Sequence, residues 1–196
     1  MGTDNRQRCD WPGDDPLMIR YHDDEWGIPV HNDQKWFEFI VLDGFQAGLA
    51  WRTVLHKREA FREVFFEFDP EKVARMPDMA IAEAMANPAI IRNRLKIKAA
   101  VKNARAFLQI QERHDTFDNF IWSFTDGRVI HNPWPTPEAI PATTDLSDEI
   151  SKSMKKHGFT FVGSTICYAF LQAAGVVNDH LIDCFRWQEL KALSSK

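Results

Sequence analysis

Apolar residues recur along this chain at helical spacing and almost nowhere alternate. In DQKWFEFIVL, Trp36, Phe37, Ile40 and Val41 fall at i, i+1, i+4 and i+5 behind Asp33, which predicts a helix capped by that aspartate. Gly44 and Gly48 interrupt the pattern before Trp51, Leu55 and Arg58 resume a helical period. FDPEKVARM predicts a further helix, with Asp69 as cap and Pro70 in its first turn. The longest predicted helix runs from Ile91 to Gln111; its apolar stripe is Ile97, Val101, Ala104 and Leu108, beside a basic stripe of Lys98, Lys102 and Arg105. Phe117 to Phe124 predicts a short helix. After it, DGRVIHNPWPTPEAIPATT carries Pro133, Pro135, Pro137 and Pro141 and predicts a long loop. With no repeat, no low-complexity tract and no alternating strand, the fold class is all-α.

The segment SDEISKSMKKHGFTFVGSTICYAFLQAAG predicts two helices joined by a tight turn. Ser147 is expected as the cap of the first, and Gly158 as its left-handed C-terminal residue. Gly163 opens the second at Ser164 or Thr165, and Gly175 ends it. Backbone N–H groups of such a turn, with a helix N-terminus beside Lys152, Lys155 and Lys156, make an anion site; an ordinary helical turn with a solvated basic end fits the same pattern.

The length of 196 residues predicts one domain over 1–190, with two helical lobes around one cleft as a variant, and a short tail over 191–196. A net charge of −4 argues against a strong non-specific polyanion binder but leaves room for a local basic face. The polar N-terminus has no apolar signal region and no apolar run reaches transmembrane length, so a cytoplasmic protein without membrane contact is expected. Three cysteines cannot pair completely, which fits a reduced compartment; Cys167, among apolar neighbours, reads as a small buried hydrophobe.

Two clusters carry candidate chemistry. Cys9 and His22 lie near one end of the chain, His180 and Cys184 in VNDHLIDC near the other. A Cys₂His₂ set completes a tetrahedral Zn²⁺ shell with no position open to substrate, so it would be a clasp; His180 and Cys184 share a face if their stretch is helical. Spacing alone leaves open that the four are unrelated. The second cluster brings Trp11, Tyr21, Trp26 and Trp51 near Asp43 in sequence. Aromatic faces and one acid suit a pocket that stacks a nucleobase and reads its edge, and aromatics at helical spacing equally suit a core.

YHDDEWGIPV, FQAGLAWRTVLHKREAFREVF, IIRNRLKIKAAVKNARAFL, GFTFVGSTICYAFLQAAGVVNDH and CFR together resemble the DNA-3-methyladenine glycosylase I family, over roughly Cys9 to Arg186. The resemblance implies a helix-hairpin-helix glycosylase fold with a zinc clasp on Cys9, His22, His180 and Cys184, one structural Zn²⁺ per chain. It implies a base pocket of Trp11, Tyr21, Trp51 and Gln46 around the catalytic carboxylate position, Asp43. It implies contact with the backbone of alkylated double-stranded DNA over His157–Gly163, giving Lys155, Lys156, Gly158, Phe159, Gly163, Ser164 and Thr165 as candidates, and a monomer is expected.

The chain departs from the family pattern, which has Glu at Asp43 and Ser at Ala50. Aspartate keeps the charge on a side chain one methylene shorter, which leaves the reaction class standing and bears on rate or preferred lesion. N3-alkylation makes a purine cationic and a ready leaving group, so flipping, stacking and one carboxylate suffice for hydrolysis. No lysine occurs from His157 to Leu190, so a monofunctional enzyme is expected. Two other classes compete: a zinc-clasped DNA-binding homologue that has lost catalysis or has weak or altered lesion specificity, motivated by Asp43 and Ala50, and a zinc hydrolase using Cys9, His22 and His180, against which the fourth ligand Cys184 argues.

Overall fold

The computed structural model describes residues 6–193, and helix dominates them. The described helices are α1 (Pro16–Asp24), α2 (Asp33–Gln46), α3 (Trp51–Leu55), α4 (Arg58–Val64), α5 (Pro70–Ala74), α6 (Asp78–Ala86), α7 (Arg94–His114), α8 (Phe117–Trp122), α9 (Asp145–Lys156), α10 (Ser164–Ala173) and α11 (Phe185–Leu193). Helix α11 runs through the first part of the expected tail, whose residues 194–196 lie outside the described residues, as do residues 1–5.

Helix α2 is the middle of the core. Every residue from Trp36 to Phe45 is buried, so it meets protein on all sides, as a central helix must. It packs on α3, α7, α8 and α10, with Phe37 edge-on to Phe107 of α7 at 5.4 Å and Trp36 against Phe170 of α10 at 5.4 Å. Gly44 does not break it. The helix ends at Gln46, and the turn that follows uses Gly48 at φ +78°.

The capping residues differ from expectation because several capping side chains lie close together in sequence. Asn32, not Asp33, caps α2. Asp33 instead accepts from the backbone N–H groups of Phe117 (2.8 Å) and Asp118 (3.0 Å) and from Gln111, so it ties the start of α8 to α2. Thr144, not Ser147, caps α9, and Ser147 closes the reciprocal capping box from the third helical position. Asp69 and Pro70 open α5 as expected. The period from Trp51 to Arg58 is two helices, not one, and α7 starts at Arg94 behind Asn93. In α7 the stripe is buried at Ile97, Val101 and Ala104, but Phe107 completes it and Leu108 is half-buried.

The proline-rich loop is tied to the domain by its contacts with segment 177–187. Ile130–His131 in it forms a parallel two-residue bridge (β1) with Val177–Asn178 (β2), in register Ile130 to Val177, where no strand was expected. His180 and Cys184 do not lie on a helix: after β2 the chain turns, and α11 begins only at Phe185. Gly175 fixes the path between α10 and β2. At φ +69°, a Cβ there would lie 2.3 Å from the carbonyl carbon of Ile28, so only glycine lets segment 27–30 lie against the end of α10.

Candidate active site and metal centre

A cavity of about 520 Å³ opens between α1, the α2–α3 turn and α10. Trp11, in the turn before α1, and Tyr21 on α1 meet at 6.2 Å edge to face; Trp26 stands 5.2 Å from Trp11, and Trp51, the first residue of α3, lies 5.1 Å from Tyr21. These rings, with Met18, Ile140, Ala169 and Ala173, make the apolar wall, and Asp43, Gln46, Arg52 and Gln172 supply its polar groups. The local chain geometry follows from α1 and its cap. Asp15 accepts from the N–H of Leu17 and Met18, and the same carboxylate meets His56 (2.7 Å) and Arg52 (3.3 Å), which binds the start of α1 to α3.

Asp43 is 2% exposed, and its Oδ2 has no hydrogen-bond partner among the described residues. Burial pushes its pKa well above the usual carboxylate range. The buried Lys96 does not serve it: its Nζ donates to the carbonyls of Phe45 (2.8 Å) and Ala47 (2.5 Å) at the end of α2. The indole N–H of Trp51 is also buried without an acceptor. An aromatic cavity that holds an unpaired carboxylate is completed by a ligand bringing donors or positive charge.

Behind the same wall, Cys9, His22, His180 and Cys184 gather their ligand atoms within 4.8 Å of one another, all four buried. His22 Nε2 lies 3.2 Å from His180 Nδ1, Cys184 Sγ 3.5 Å from each histidine nitrogen, and Cys9 Sγ 3.7 Å from His180 Nδ1. Ligands held at Zn–S and Zn–N bond lengths with tetrahedral angles stand roughly 3.3–3.8 Å apart; these four separations lie near that range and the other pairs within 4.8 Å, so the cluster could hold a metal ion. The other ring nitrogens are also engaged. His22 Nδ1 is 2.8 Å from Asp23, which Arg8 grips through two nitrogens, and His180 Nε2 is 3.0 Å from the carbonyl of Trp26. The Cys184 thiol is pushed down, first by a hydrogen bond from Cys9 and then by the two histidines, and burial lowers the pKa of His180. A thiolate and a neutral imidazole are the forms that bind a metal.

The turn between α9 and α10 is held by side-chain to backbone hydrogen bonds. Asn103 of α7 clamps Thr160 through both backbone groups (2.9 and 3.0 Å), and Ser151 Oγ donates to the carbonyl of Val162 at 2.6 Å. Gly158 takes φ +91° as the left-handed residue after α9. Lys155, Lys156 and Thr165 are exposed, and Gly163 starts α10 with no side-chain cap, leaving its first N–H groups without a capping side chain. Ser164 Oγ is engaged by Ser147 Oγ at 2.7 Å. Phe159, expected among the DNA contacts, is buried within the turn. Its side chain is 3% exposed against Phe117 and its N–H is bonded to Met154, so it holds the turn from inside. Lys98 and Lys102 are exposed on α7, and Arg105 bonds to the carbonyl of Ala74.

Thus the aromatic cluster, Asp43 and Gln46 meet in one cavity, and the four metal candidates meet behind it. Sequence reasoning missed Arg52, Ile140 and Gln172 as cavity residues. Arg52 adjoins Trp51, which was a usable signal; Ile140 and Gln172 arrive from distant segments, with no local pattern to mark them. Cys167 is buried as expected.

The sequence profile of the family described as methyladenine glycosylase matches residues 11–187. DNA-3-methyladenine glycosylase of Haemophilus influenzae is 49% identical over 177 residues, which span 90% of this chain and 96% of that one. A crystal structure of 3-methyladenine DNA glycosylase I (TAG) superposes with a TM-score of 0.89 at 49% identity, covering 91% of this chain and 98% of the other. A Tyr-to-Phe variant of 3-methyladenine DNA glycosylase I (TAG), in complex with 3-methyladenine, reaches 0.88 at 34% identity, covering 91% and 96%. By profile, sequence and structure, the chain belongs to the methyladenine glycosylase family.

Proposed function

We propose that this chain is a monofunctional DNA glycosylase that flips N3-methyladenine out of alkylated double-stranded DNA and excises it by hydrolysis, as a step of base excision repair. One observation carries this reading beyond family membership: a buried carboxylate without a partner, Asp43, faces a cavity walled by Trp11, Tyr21 and Trp51. N3-methylation places a positive charge on the purine, which the aromatic faces attract and the carboxylate balances. In the empty cavity burial favours the protonated acid; a cationic base holds it ionised and donates a hydrogen bond to it. Electron withdrawal by that charge weakens the glycosidic bond, so water displaces the base without a strong general acid. The absence of lysine from His157 to Leu190 leaves no amine there for a covalent sugar intermediate.

Cys9, His22, His180 and Cys184 would hold one Zn²⁺, which ties the chain ends together and, with every position filled, offers none to substrate. The exposed Lys155 and Lys156, with the open N–H groups of Gly163, Ser164 and Thr165, would hold the DNA backbone. The chain would work as a monomer, as one domain over 1–190, in the cytoplasm; no described helix is long and apolar enough to cross a membrane.

A second reading, altered lesion preference, rests on the shorter side chain of Asp43. Chromatography of bases released from methylated duplex DNA tests both. Release of 3-methyladenine supports the first reading, and no free base above the protein-free control contradicts it.

A further inference from the structure

Asp179, immediately before His180, is 1% exposed. Its carboxylate collects donors from two segments far apart in sequence. Asn132 Nδ2 (2.7 Å) and Trp134 Nε1 (2.9 Å) reach Oδ1 from the proline-rich loop, while the Tyr168 hydroxyl and Gln172 Nε2 (2.8 Å) reach Oδ2 from α10. A carboxylate accepts and does not donate, so the end of the Gln172 amide turned toward Asp179 is its nitrogen. The amide oxygen therefore points the other way, and no described residue donates to it. Gln172 lines the cavity. Gln46, the cavity's other amide, has no side-chain hydrogen bond among the described residues and can present either end.

We infer that Gln172 is a specificity-determining residue of the cavity and that Asp179 is the residue that positions it, on the reading of the cavity as the site of an excised purine. Gln172 Oε1, its polarity fixed by Asp179, and Asp43, ionised once a cationic base is bound, give the cavity two acceptors. A 6-aminopurine offers an exocyclic amine with two hydrogens to such a pair. A 6-oxopurine turns a carbonyl oxygen to the same edge and leaves the acceptors unpaired. N3-methylated adenine and N3-methylated guanine both carry positive charge in DNA, so the charge of Asp43 attracts both alike. The direction of hydrogen bonding separates them, and a buried polar group left without its partner is the strong form of rejection.

DNA treated with a methylating agent carries both bases, and the ratio of 3-methyladenine to 3-methylguanine released, read by chromatography, tests the inference. Gln172→Met keeps length and removes the acceptor. Asp179→Asn turns a donor toward Gln172, so the amide reverses and presents its N–H groups to the cavity. Each variant is expected to lower the ratio roughly ten- to a hundredfold, the scale of a hydrogen bond to a charged partner. Wild-type ratios in both variants overturn the inference, and so does an equal loss of both products, because a structural role slows both together. If Asp179→Asn does not fold, by melting temperature and metal content, Gln172→Met decides alone. Wild-type protein that releases no 3-methyladenine overturns the base-pocket reading and this inference with it; a normal wild type with unchanged variants overturns this inference alone.

Discussion

His180 Nε2 lies 3.0 Å from the carbonyl oxygen of Trp26, so a member of the metal cluster and a wall of the cavity share one hydrogen bond. The connection is repeated on the other side of the cluster. The ring of His22 stands 5.4 Å from Trp11, and Tyr21 is its neighbour in sequence on α1. Trp11, Tyr21 and Trp26 each follow or precede a cluster residue by a few positions, so an ion that held the cluster would also hold that part of the wall.

Purified protein is therefore expected to contain one equivalent of zinc. Cys184→Ala is expected to lose the metal and to lower the melting temperature more than it lowers activity per folded molecule. Elemental analysis with thermal denaturation checks this, and well under one equivalent of any metal contradicts it.

Arg58 joins α4 to α1 and α2. Its guanidinium reaches Glu38 at 2.7 Å and Glu25 at 2.6 and 2.7 Å, and both Arg58 and Glu38 are under a tenth exposed. Arg58→Ala removes the buried cation that joins Glu25 and Glu38, leaving Lys35 on both and Arg62 on Glu38, and is expected to cost about 1.5–3 kcal/mol of stability. Burial alone would raise Glu38, but the hydrogen bond and charge of Arg58, with Lys35, outweigh it and bring Glu38 down to about 2. A lowered folded pKa stabilises above the unfolded value of 4.5, and that stability is lost as pH falls toward 2. Glu38→Gln is expected to flatten the loss of stability over that window, as read by denaturant titration at a series of pH values.

Asp43 has the opposite sign. Its folded pKa is raised by burial, so it stabilises fully below 3.8, and this contribution is lost as pH rises through the folded value. Ionised Asp43 is also the form that pairs with a cationic base, so base release is expected to rise with pH through a limb lying above the usual carboxylate range. The difference between wild type and Asp43→Asn isolates that limb from the titration of the metal cluster. A limb of the same position in both proteins contradicts the assignment.

Charge reversal at Lys155 or Lys156 is expected to weaken DNA binding and to reduce the slope of log K against log salt by about one, since each neutralises a phosphate. Selectivity among bases is expected to stay unchanged, because phosphate contacts carry no base information. Unchanged slopes in both variants would move the DNA face to Lys98 and Lys102 of α7.

Chemistry-bearing residue types made much of the site legible. Cysteines and histidines are few, so Cys9, His22, His180 and Cys184 could be grouped without coordinates, and Trp11, Tyr21, Trp51 and Asp43 were linked through family motifs. The local conformation was less legible. Helical spacing puts His180 and Cys184 on one face only if their stretch is a helix, and the stretch is instead a turn between β2 and α11. Ser147 and Thr144 are both competent caps; Thr144 takes the cap while Ser147 completes the capping box and meets Ser164, seventeen residues on. A bridge of two residues, β1 with β2, is too short to leave an alternating pattern. Gln172 carries no motif of its own; only the fold places it beside Asp179 and the cavity.

The central claim is that Asp43 recognises the excised base, and the most direct measurement is the rate of 3-methyladenine release from methylated DNA by wild type and by Asp43→Asn under single-turnover conditions. The account predicts that wild type releases the base and that Asp43→Asn is slower by roughly a hundredfold, the scale on which losing one positioned charge-stabilising group slows an enzyme. Asp43→Glu is predicted to keep or raise the wild-type rate. Equal release by wild type and Asp43→Asn would contradict the account and leave base recognition to the aromatic walls.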